Sequence, residues 1–232
     1  MARFETTRWS LILATREQTP DASAALDALC RAYRPAVLSF LRARCRNRDL
    51  AEDLTQGFFT RFLEYRYHEI ADPARGRFRV FLGTALRNFL VNHGDHDHAA
   101  KRGGGSVAVE FEEESLHADA RDSPERTFDL AWALTVLDRA MAALEAEAAA
   151  SGKAALFARL REFLTEVPEA EDYARAAADL GLRQNTVAVS VHRLRERLRD
   201  QVRAQLADTV ADPAEVDDEL RALRAVLGAV GT

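Results

Sequence analysis

Apolar residues recur at every third or fourth position along most of the sequence, and this period is the feature that most constrains the fold. Leu50, Leu54, Phe58 and Phe62, for example, form one continuous stripe. Such spacing is typical of an amphipathic helix, and no stretch has the alternation of a strand. Only six prolines and eleven glycines occur among the 232 residues. The sequence therefore predicts an all-α fold, with helices at about residues 21–45, 50–65, 78–92, 123–152, 156–164, 170–180, 184–206 and 213–228.

A glycine-rich break divides the chain. Residues 103–106 read Gly-Gly-Gly-Ser, and the acidic segment that follows has no helical period. This composition is typical of a flexible linker. A chain of 232 residues has room for two small domains, each with its own core. We predict a first helical domain over residues 1–102, a linker over 103–122, a second helical domain over 123–207 and a C-terminal helical extension over 208–232.

The formal net charge is -5, but the charges are segregated along the chain. Residues 66–102 carry seven Lys and Arg against four Asp and Glu, and residues 172–206 carry seven Arg against four acids. Acidic segments at 110–125 and 208–224 alternate with these basic segments. Each basic segment can therefore meet phosphates locally, although the chain as a whole is acidic.

The sequence has no signal for a membrane or for export. No apolar run approaches the roughly 18 residues that a membrane span needs, and the first nine residues contain no apolar signal core. Cys30 and Cys45 are the only cysteines, too few for a disulfide framework or a cysteine zinc site. We expect a cytoplasmic protein without a membrane segment.

Residues 173–198 have the pattern of a helix-turn-helix. Gly181 supplies the backbone freedom of a short turn, and Val187, Val191, Leu194 and Leu198 then form the inner stripe of a second helix. In this motif the second helix enters the major groove, where Gln and Asn side chains can pair with adenine and arginines with phosphates. An ordinary helical hairpin with a solvated arginine face is the alternative. The candidate DNA contacts are Arg183, Gln184, Asn185, Thr186, Val189, His192, Arg193 and Arg197.

A second group of residues lies in the first half of the chain. A polar face follows the apolar stripe of residues 49–62, and arginines alternate with aromatic residues between Arg75 and His93. Guanidinium groups suit a nucleic-acid backbone, and aromatic rings suit unstacked bases. The alternative is that the rings belong to the core and the arginines to the surface.

These segments, in their order and spacing, resemble the extracytoplasmic-function (ECF) sigma factors of the sigma-70 family. Residues 49–62 resemble their region 2.2, residues 77–93 regions 2.3 and 2.4, and residues 173–198 region 4.2. The Thr-Thr-Arg-Trp start and the Gly-Arg-Phe-Arg segment at residues 76–79 resemble a subgroup that has a C-terminal extension. The resemblance covers about residues 20–206.

The resemblance implies a non-enzymatic protein that brings bacterial RNA polymerase core to promoter DNA. The implied protein partners are the clamp helices of the largest subunit and the flap of the second-largest subunit. An anti-sigma factor or autoinhibition by residues 208–232 is a further expected mode of control. The capped, amphipathic pattern of residues 212–227 suggests a helix that modulates access to polymerase or DNA, and a helix that only packs on a domain is the alternative. The implied contacts to core polymerase are Glu52, Asp53, Gln56 and Phe59.

The resemblance also divides the DNA contacts between two promoter elements. The helix that begins at Gln184 would read the -35 element, and the segment from residue 75 to residue 102 would bind the -10 element and trap a base out of the stack. The implied -10 contacts are Arg75, Arg77, Arg79, Arg87, Asn88, Asn92, His93, Lys101 and Arg102.

Two other functions fit parts of the sequence. A two-domain transcriptional regulator would use the same helix-turn-helix, but it would leave the pattern of residues 50–93 unexplained. A metal-dependent hydrolase would use the histidines and aspartates of residues 93–98, but no distant set of ligands converges on that segment. We therefore predict no catalytic residues, no metal site and no cofactor.

Overall fold

The computed structural model describes residues 20–45, 47–67, 78–101, 123–207, 210 and 213–229. These ranges are helical almost throughout and contain no strand, so the all-α prediction is confirmed. Short 3-10 turns lie at Arg161–Leu164 and Pro213–Glu215. The helices are α1 Pro20–Arg44, α2 Arg48–Glu64, α3 Phe78–Lys101, α4 Pro124–Ala150, α5 Ala154–Leu160, α6 Ala170–Leu180, α7 Gln184–Ala207 and α8 Val216–Gly228.

The chain forms two compact units. The first comprises residues 1–135 together with 207–232, and the second comprises residues 136–206. One division falls inside α4 and the other at the end of α7. The segment after α7 thus groups with the first half of the chain. The functional domain boundaries expected from the sequence stay a prediction.

The first unit has a core of aromatic and aliphatic side chains from α1, α2 and α3. The period of three and four residues turns one stripe of each helix inward. Asn47 caps the N-terminus of α2, because its side-chain oxygen accepts a hydrogen bond from the Asp49 backbone N–H at 2.9 Å. Edge-to-face ring pairs join the helices, with centroids 5.2 Å apart for Tyr33 and Phe78 and 5.6 Å apart for Phe58 and Phe89. The fully buried residues of this core include Leu29, Tyr33, Phe40, Leu41, Phe58, Phe62, Phe78, Leu82 and Leu86.

The terminal helix α8 is amphipathic, as its sequence predicts. Val216, Leu220 and Leu223 lie on its inner side and are buried. Burying an aliphatic side chain of this size contributes roughly 1.5–3 kcal/mol. These three side chains therefore make α8 a firmly packed part of the structure.

The second unit is built around α6, α7 and the turn between them. Leu160, Phe163, Ala177, Val187 and Val191 are buried together in its core. At the turn, Gly181 ends α6 in the left-handed conformation, with φ 63° and ψ 31°. The Leu182 N–H donates to the Ala177 carbonyl at 2.9 Å, which closes the helix end. Three residues, 181–183, separate the end of α6 from the start of α7.

Candidate polymerase and nucleic-acid interfaces

The polar face of α2 begins at a carboxylate held in place by α1. Glu52 accepts hydrogen bonds from Arg34 at 2.7 Å and from Arg42 at 2.9 Å. Both arginines are about half exposed, so each ion pair contributes little to stability but fixes the carboxylate. Sequence reasoning selected Glu52 but missed the two arginines, because side chains 18 and 10 residues away give no local signal.

Beyond Glu52, an open groove runs along the exposed side of α2. Asp53 and Gln56 are exposed on this groove, as expected for contacts to a partner. Phe59 is half-buried instead, with its ring centroid 5.3 Å from that of Phe58. It packs on the core and is not part of the lining of this groove. The groove is lined by Asp53, Gln56, Gly57, Thr60, Arg61, Glu64 and Tyr65.

A second exposed surface lies on α3. Arg87 and Asn88 are exposed there, and so is Asn92 one turn further on. They share this surface with two large apolar side chains, Val80 at 54% exposed and Val91 at 64% exposed. The sequence interpretation missed both valines, although they stand outside the inner stripe of the helix. We call Val80, Thr84, Arg87, Asn88 and Val91 the α3 face.

The α3 face combines few charges with exposed apolar groups. Such a surface suits a partner that is itself part anion and part apolar ring, because a guanidinium can bind a phosphate while methyl groups contact a base. Thr84 donates its hydroxyl to the Val80 carbonyl at 3.0 Å, so its methyl group adds to the apolar part. Arg87 is the one cation on this face.

Arg79 is placed differently from Arg87, Asn88 and Asn92. Its side chain is only 12% exposed and forms an ion pair with Asp129 of α4. Its Nε also lies 3.7 Å from Oε2 of Glu219 on α8. The guanidinium covers the ring of Trp132, with 4.5 Å from Cζ to the ring centroid. We call Arg79, Asp129 and Glu219 the charge cluster.

Several expected -10 contacts lie outside the described residues. These are Arg75, Arg77 and Arg102, together with the side chain of Lys101. His93 is described and half-buried, with its ring 5.9 Å from that of Phe89. Within the described part of the chain, no group of three or more His, Cys, Asp and Glu residues could hold a metal ion. The side chains of residues 94–98 lie outside that part.

The exposed side of α7 carries most of the predicted -35 contacts. Val187 and Val191 turn inward, which leaves the polar residues of the same helix in solvent. His192 lies 3.6 Å from the Glu196 carboxylate, measured from Nδ1. The predicted contacts that are exposed at this surface are Arg183, Asn185, Thr186, Val189, His192 and Arg193.

Two predicted contacts on α7 already have partners within the protein. Gln184 donates its side-chain N–H to the Ala170 carbonyl at 3.1 Å, which joins the starts of α6 and α7. Arg197 donates to Glu147 at 3.0 Å from Nε and 2.7 Å from Nη2. The hydrogen bond to Glu147 raises the pKa of Arg197 further above its usual range, so it stays charged.

Two further residues position α6 and α7. Arg195 donates to the Phe163 carbonyl at 2.7 Å from Nη2 and 3.0 Å from Nε, and to the Glu166 carbonyl at 3.0 Å. It thereby closes the 3-10 turn that precedes α6. At the start of α6, Asp172 accepts a hydrogen bond from the Glu169 N–H at 2.9 Å, and this bond lowers the pKa of the Asp172 carboxyl.

Comparison with protein-family models places a known domain over these surfaces. Residues 29–94 match the model described as Sigma-70 region 2, and this range contains both the α2 groove and the α3 face. The match supports assignment to the sigma-70 family and a role as an RNA polymerase sigma factor. Searches of the curated proteins and of the solved structures found no match. Among the described helices, none has the length and apolar character needed to cross a membrane.

Proposed function

We propose that the chain is a sigma factor of the ECF type, which binds RNA polymerase core and directs it to promoters. The observation that carries this proposal is the pairing of two exposed surfaces within residues 29–94, which match Sigma-70 region 2. One surface is the polar groove of α2, and the other is the α3 face. A protein that joins an enzyme to single-stranded DNA needs two such surfaces on one rigid core.

The α2 groove is the proposed site for the clamp helices of the polymerase. Asp53 and Gln56 offer exposed polar groups, and Tyr65, 59% exposed, adds a ring at the end of the groove. Aromatic and hydrogen-bonding side chains at the centre of an interface contribute most to affinity. The ion pairs from Arg34 and Arg42 to Glu52 hold the adjoining turn of α2 against α1.

The α3 face is the proposed site for the melted -10 element. Arg87 would bind a backbone phosphate, while Asn88 and Asn92 would contact base edges. Val80 and Val91 would pack against bases that leave the stack, which shifts the equilibrium towards open DNA because only the open strand fills this surface. Arg75, Arg77, His93, Lys101 and Arg102 extend the proposed site.

The exposed side of α7 is the proposed reader of the -35 element. Asn185 and Thr186 stand at the start of the helix, where a recognition helix reaches base edges. Arg183 and Arg193 would bind phosphates on either side of the groove. Gln184 and Arg197 would contact DNA only by exchanging their present partners, Ala170 and Glu147.

In vitro transcription tests the proposal. The purified full-length chain is added to bacterial core polymerase with genomic DNA from the source organism, and the transcript ends are mapped. The proposal expects initiation at defined promoters only when the chain is present. A two-domain regulator would bind duplex DNA yet fail to start transcription, and that result would exclude the sigma-factor function.

Variants separate the two surfaces in the same assay. Asp53→Ala with Gln56→Ala should weaken binding to core by about thirtyfold or more, since two central interface residues that each contribute more than about 1 kcal/mol together exceed about 2 kcal/mol. Arg87→Ala should leave core binding intact and reduce promoter opening. Arg31→Ala is the matched control, because this exposed arginine on α1 pairs only with neighbouring Asp27 at 2.5 Å in the described contacts. It should change neither step.

A further inference from the structure

The charge cluster lies where three helices of the first unit meet. Arg79 belongs to the first turn of α3, Asp129 to α4 and Glu219 to α8. Glu219 is 2% exposed and Asp129 is 35% exposed, so the guanidinium bridges one fully buried and one half-buried carboxylate. An ion pair at this depth is costly to break, because the remaining partner keeps a buried charge without compensation.

A second polar contact holds the other end of α8. Arg126 of α4 donates to the Ala229 carbonyl at 2.9 Å, where the helix ends. Leu220 and Leu223 are buried between these two points along the helix, and Val216 is buried one turn before Glu219. The terminal helix is therefore fixed by ionic contact near its start, by hydrogen bonding at its end and by apolar burial along its length.

These contacts decide between two roles for Arg79. As a DNA contact, it would have to leave the charge cluster and expose Trp132, which it covers. Burial of each aliphatic side chain of α8 shifts the docking equilibrium of this helix towards the docked state by about tenfold or more. A single exposed phosphate contact cannot offset the loss of several such buried side chains. DNA is thus too weak a competitor to undock α8 and release Arg79.

We propose that Arg79 is a positioning residue, and that α8 is needed to present the α3 face to DNA. Val80 follows Arg79 directly, and Thr84, Arg87, Asn88 and Val91 follow along the same rigid helix. Fixing the first turn through Glu219 and Asp129 sets the direction and rotation of this face. The inference rests on the proposed function, since it assigns the α3 face to DNA.

The test measures the affinity of the full-length chain for a fluorescein-labelled single-stranded oligonucleotide of mixed sequence, by fluorescence anisotropy. The variant is Glu219→Gln, and the matched control is Asp218→Asn, which removes an exposed acid from the neighbouring position of α8. Removing a negative charge should by itself strengthen DNA binding. We expect Glu219→Gln to weaken it about tenfold, and Asp218→Asn not to weaken it.

Tryptophan fluorescence reports whether α8 has moved in the same samples. The chain has two tryptophans, so Trp9→Phe leaves Trp132 as the single probe. Acrylamide should quench the fluorescence of Trp132 more strongly in Glu219→Gln than in the parent. The comparison is made in buffer without denaturant, where circular dichroism shows full helix content. If Glu219→Gln does not fold, Leu223→Ala takes its place, because it loosens the same helix through an apolar contact.

A rescue variant separates positioning from direct contact. Arg79→Met should weaken DNA binding, while Arg79→Met with Glu219→Met should recover both stability and affinity, since an apolar pair can replace a buried ion pair. Recovery of stability without recovery of affinity would show that Arg79 itself contacts DNA and would overturn the inference. So would unchanged or stronger binding by Glu219→Gln, the result expected if α8 and DNA compete for Arg79.

The failure of the inference can be told from the failure of the proposed function. If Arg87→Ala loses affinity while Glu219→Gln binds like the parent, the α3 face binds DNA but α8 does not position it. If the parent itself binds no single-stranded DNA, both the DNA half of the proposed function and the inference are wrong.

Discussion

Gly181 is the residue on which the geometry of the turn between α6 and α7 depends, and Gly181→Ala tests this directly. Its φ of 63° lies in the left-handed region, where an added Cβ meets the following carbonyl oxygen. An alanine Cβ at this position would have no heavy atom within 4 Å beyond its chain neighbours. The predicted cost is therefore one of backbone strain alone. We expect Gly181→Ala to lower the free energy of unfolding of the second unit by about 1 kcal/mol.

Two other glycines supply controls, one expected to lower stability as Gly181→Ala does and one expected to raise it. Gly152 also has a positive φ, 73°, and also has open space around it, so Gly152→Ala should cost about as much as Gly181→Ala. Gly83 lies within α3 and its Cβ would likewise meet nothing within 4 Å. Gly83→Ala should raise stability by roughly 0.5–1 kcal/mol, because alanine is the better helix former.

Urea unfolding and amide hydrogen exchange measure these effects. Circular dichroism follows the loss of helix, and exchange in peptides from α6 and α7 assigns the change to the second unit. The strain argument is refuted if Gly181→Ala is as stable as the parent, or if Gly181→Ala and Gly83→Ala shift stability in the same direction. A loss well above the predicted value would mean that the turn relaxes and carries α7 with it.

Three shorter predictions concern single side chains. Arg195→Met leaves two loop carbonyls without their donor and should lower the free energy of unfolding by about 2 kcal/mol in urea; equal stability would contradict it. Burial raises the pKa of the Cys30 thiol from 9.0 to about 11. The protonated thiol therefore contributes its full stabilisation to the fold below pH 9, and this contribution is lost as the pH rises towards 11. Cys30→Ala should flatten the parent's pH profile of stability by about 2 kcal/mol in that window, and identical profiles would refute the assignment. Glu147→Gln frees Arg197 and should strengthen duplex DNA binding and steepen its salt dependence by about one phosphate contact; an unchanged salt slope would show that Arg197 does not reach DNA.

The fold class could be predicted because every helix of the core repeats one signal. The stripe of Leu54, Phe58 and Phe62 is both the pattern in the sequence and the buried side of α2. Helix ends were harder to predict where the stripe stops before the helix does. The predicted third helix ends at Asn92, whereas α3 continues to Lys101. Residues 93–98 have no apolar period, and the period was the signal used.

The terminal helix shows a second limit of the sequence pattern. Its stripe predicts a helix, and α8 begins at Val216 after a 3-10 turn. An amphipathic stripe predicts that one side of a helix is buried, but it does not identify the residues that pack against that side. The partners of α8, among them Arg79 and Arg126, lie more than eighty residues earlier in the chain. Only the folded structure brings them together.

Polar site residues were predicted from residue type, and residue type does not reveal whether a side chain is available to bind DNA. Arg79, Gln184 and Arg197 were each assigned to DNA, and each has an intramolecular partner. Arg87, which stands in the same basic segment as Arg79, is exposed. The difference arises from packing, because the inner stripe of α3 rotates Arg79 towards α4 and α8 and rotates Arg87 towards solvent. A count of arginines therefore overestimates the charge that a basic segment can offer to phosphates. The salt dependence of DNA binding should accordingly reflect the exposed cations alone, since only they release counterions when a phosphate is bound.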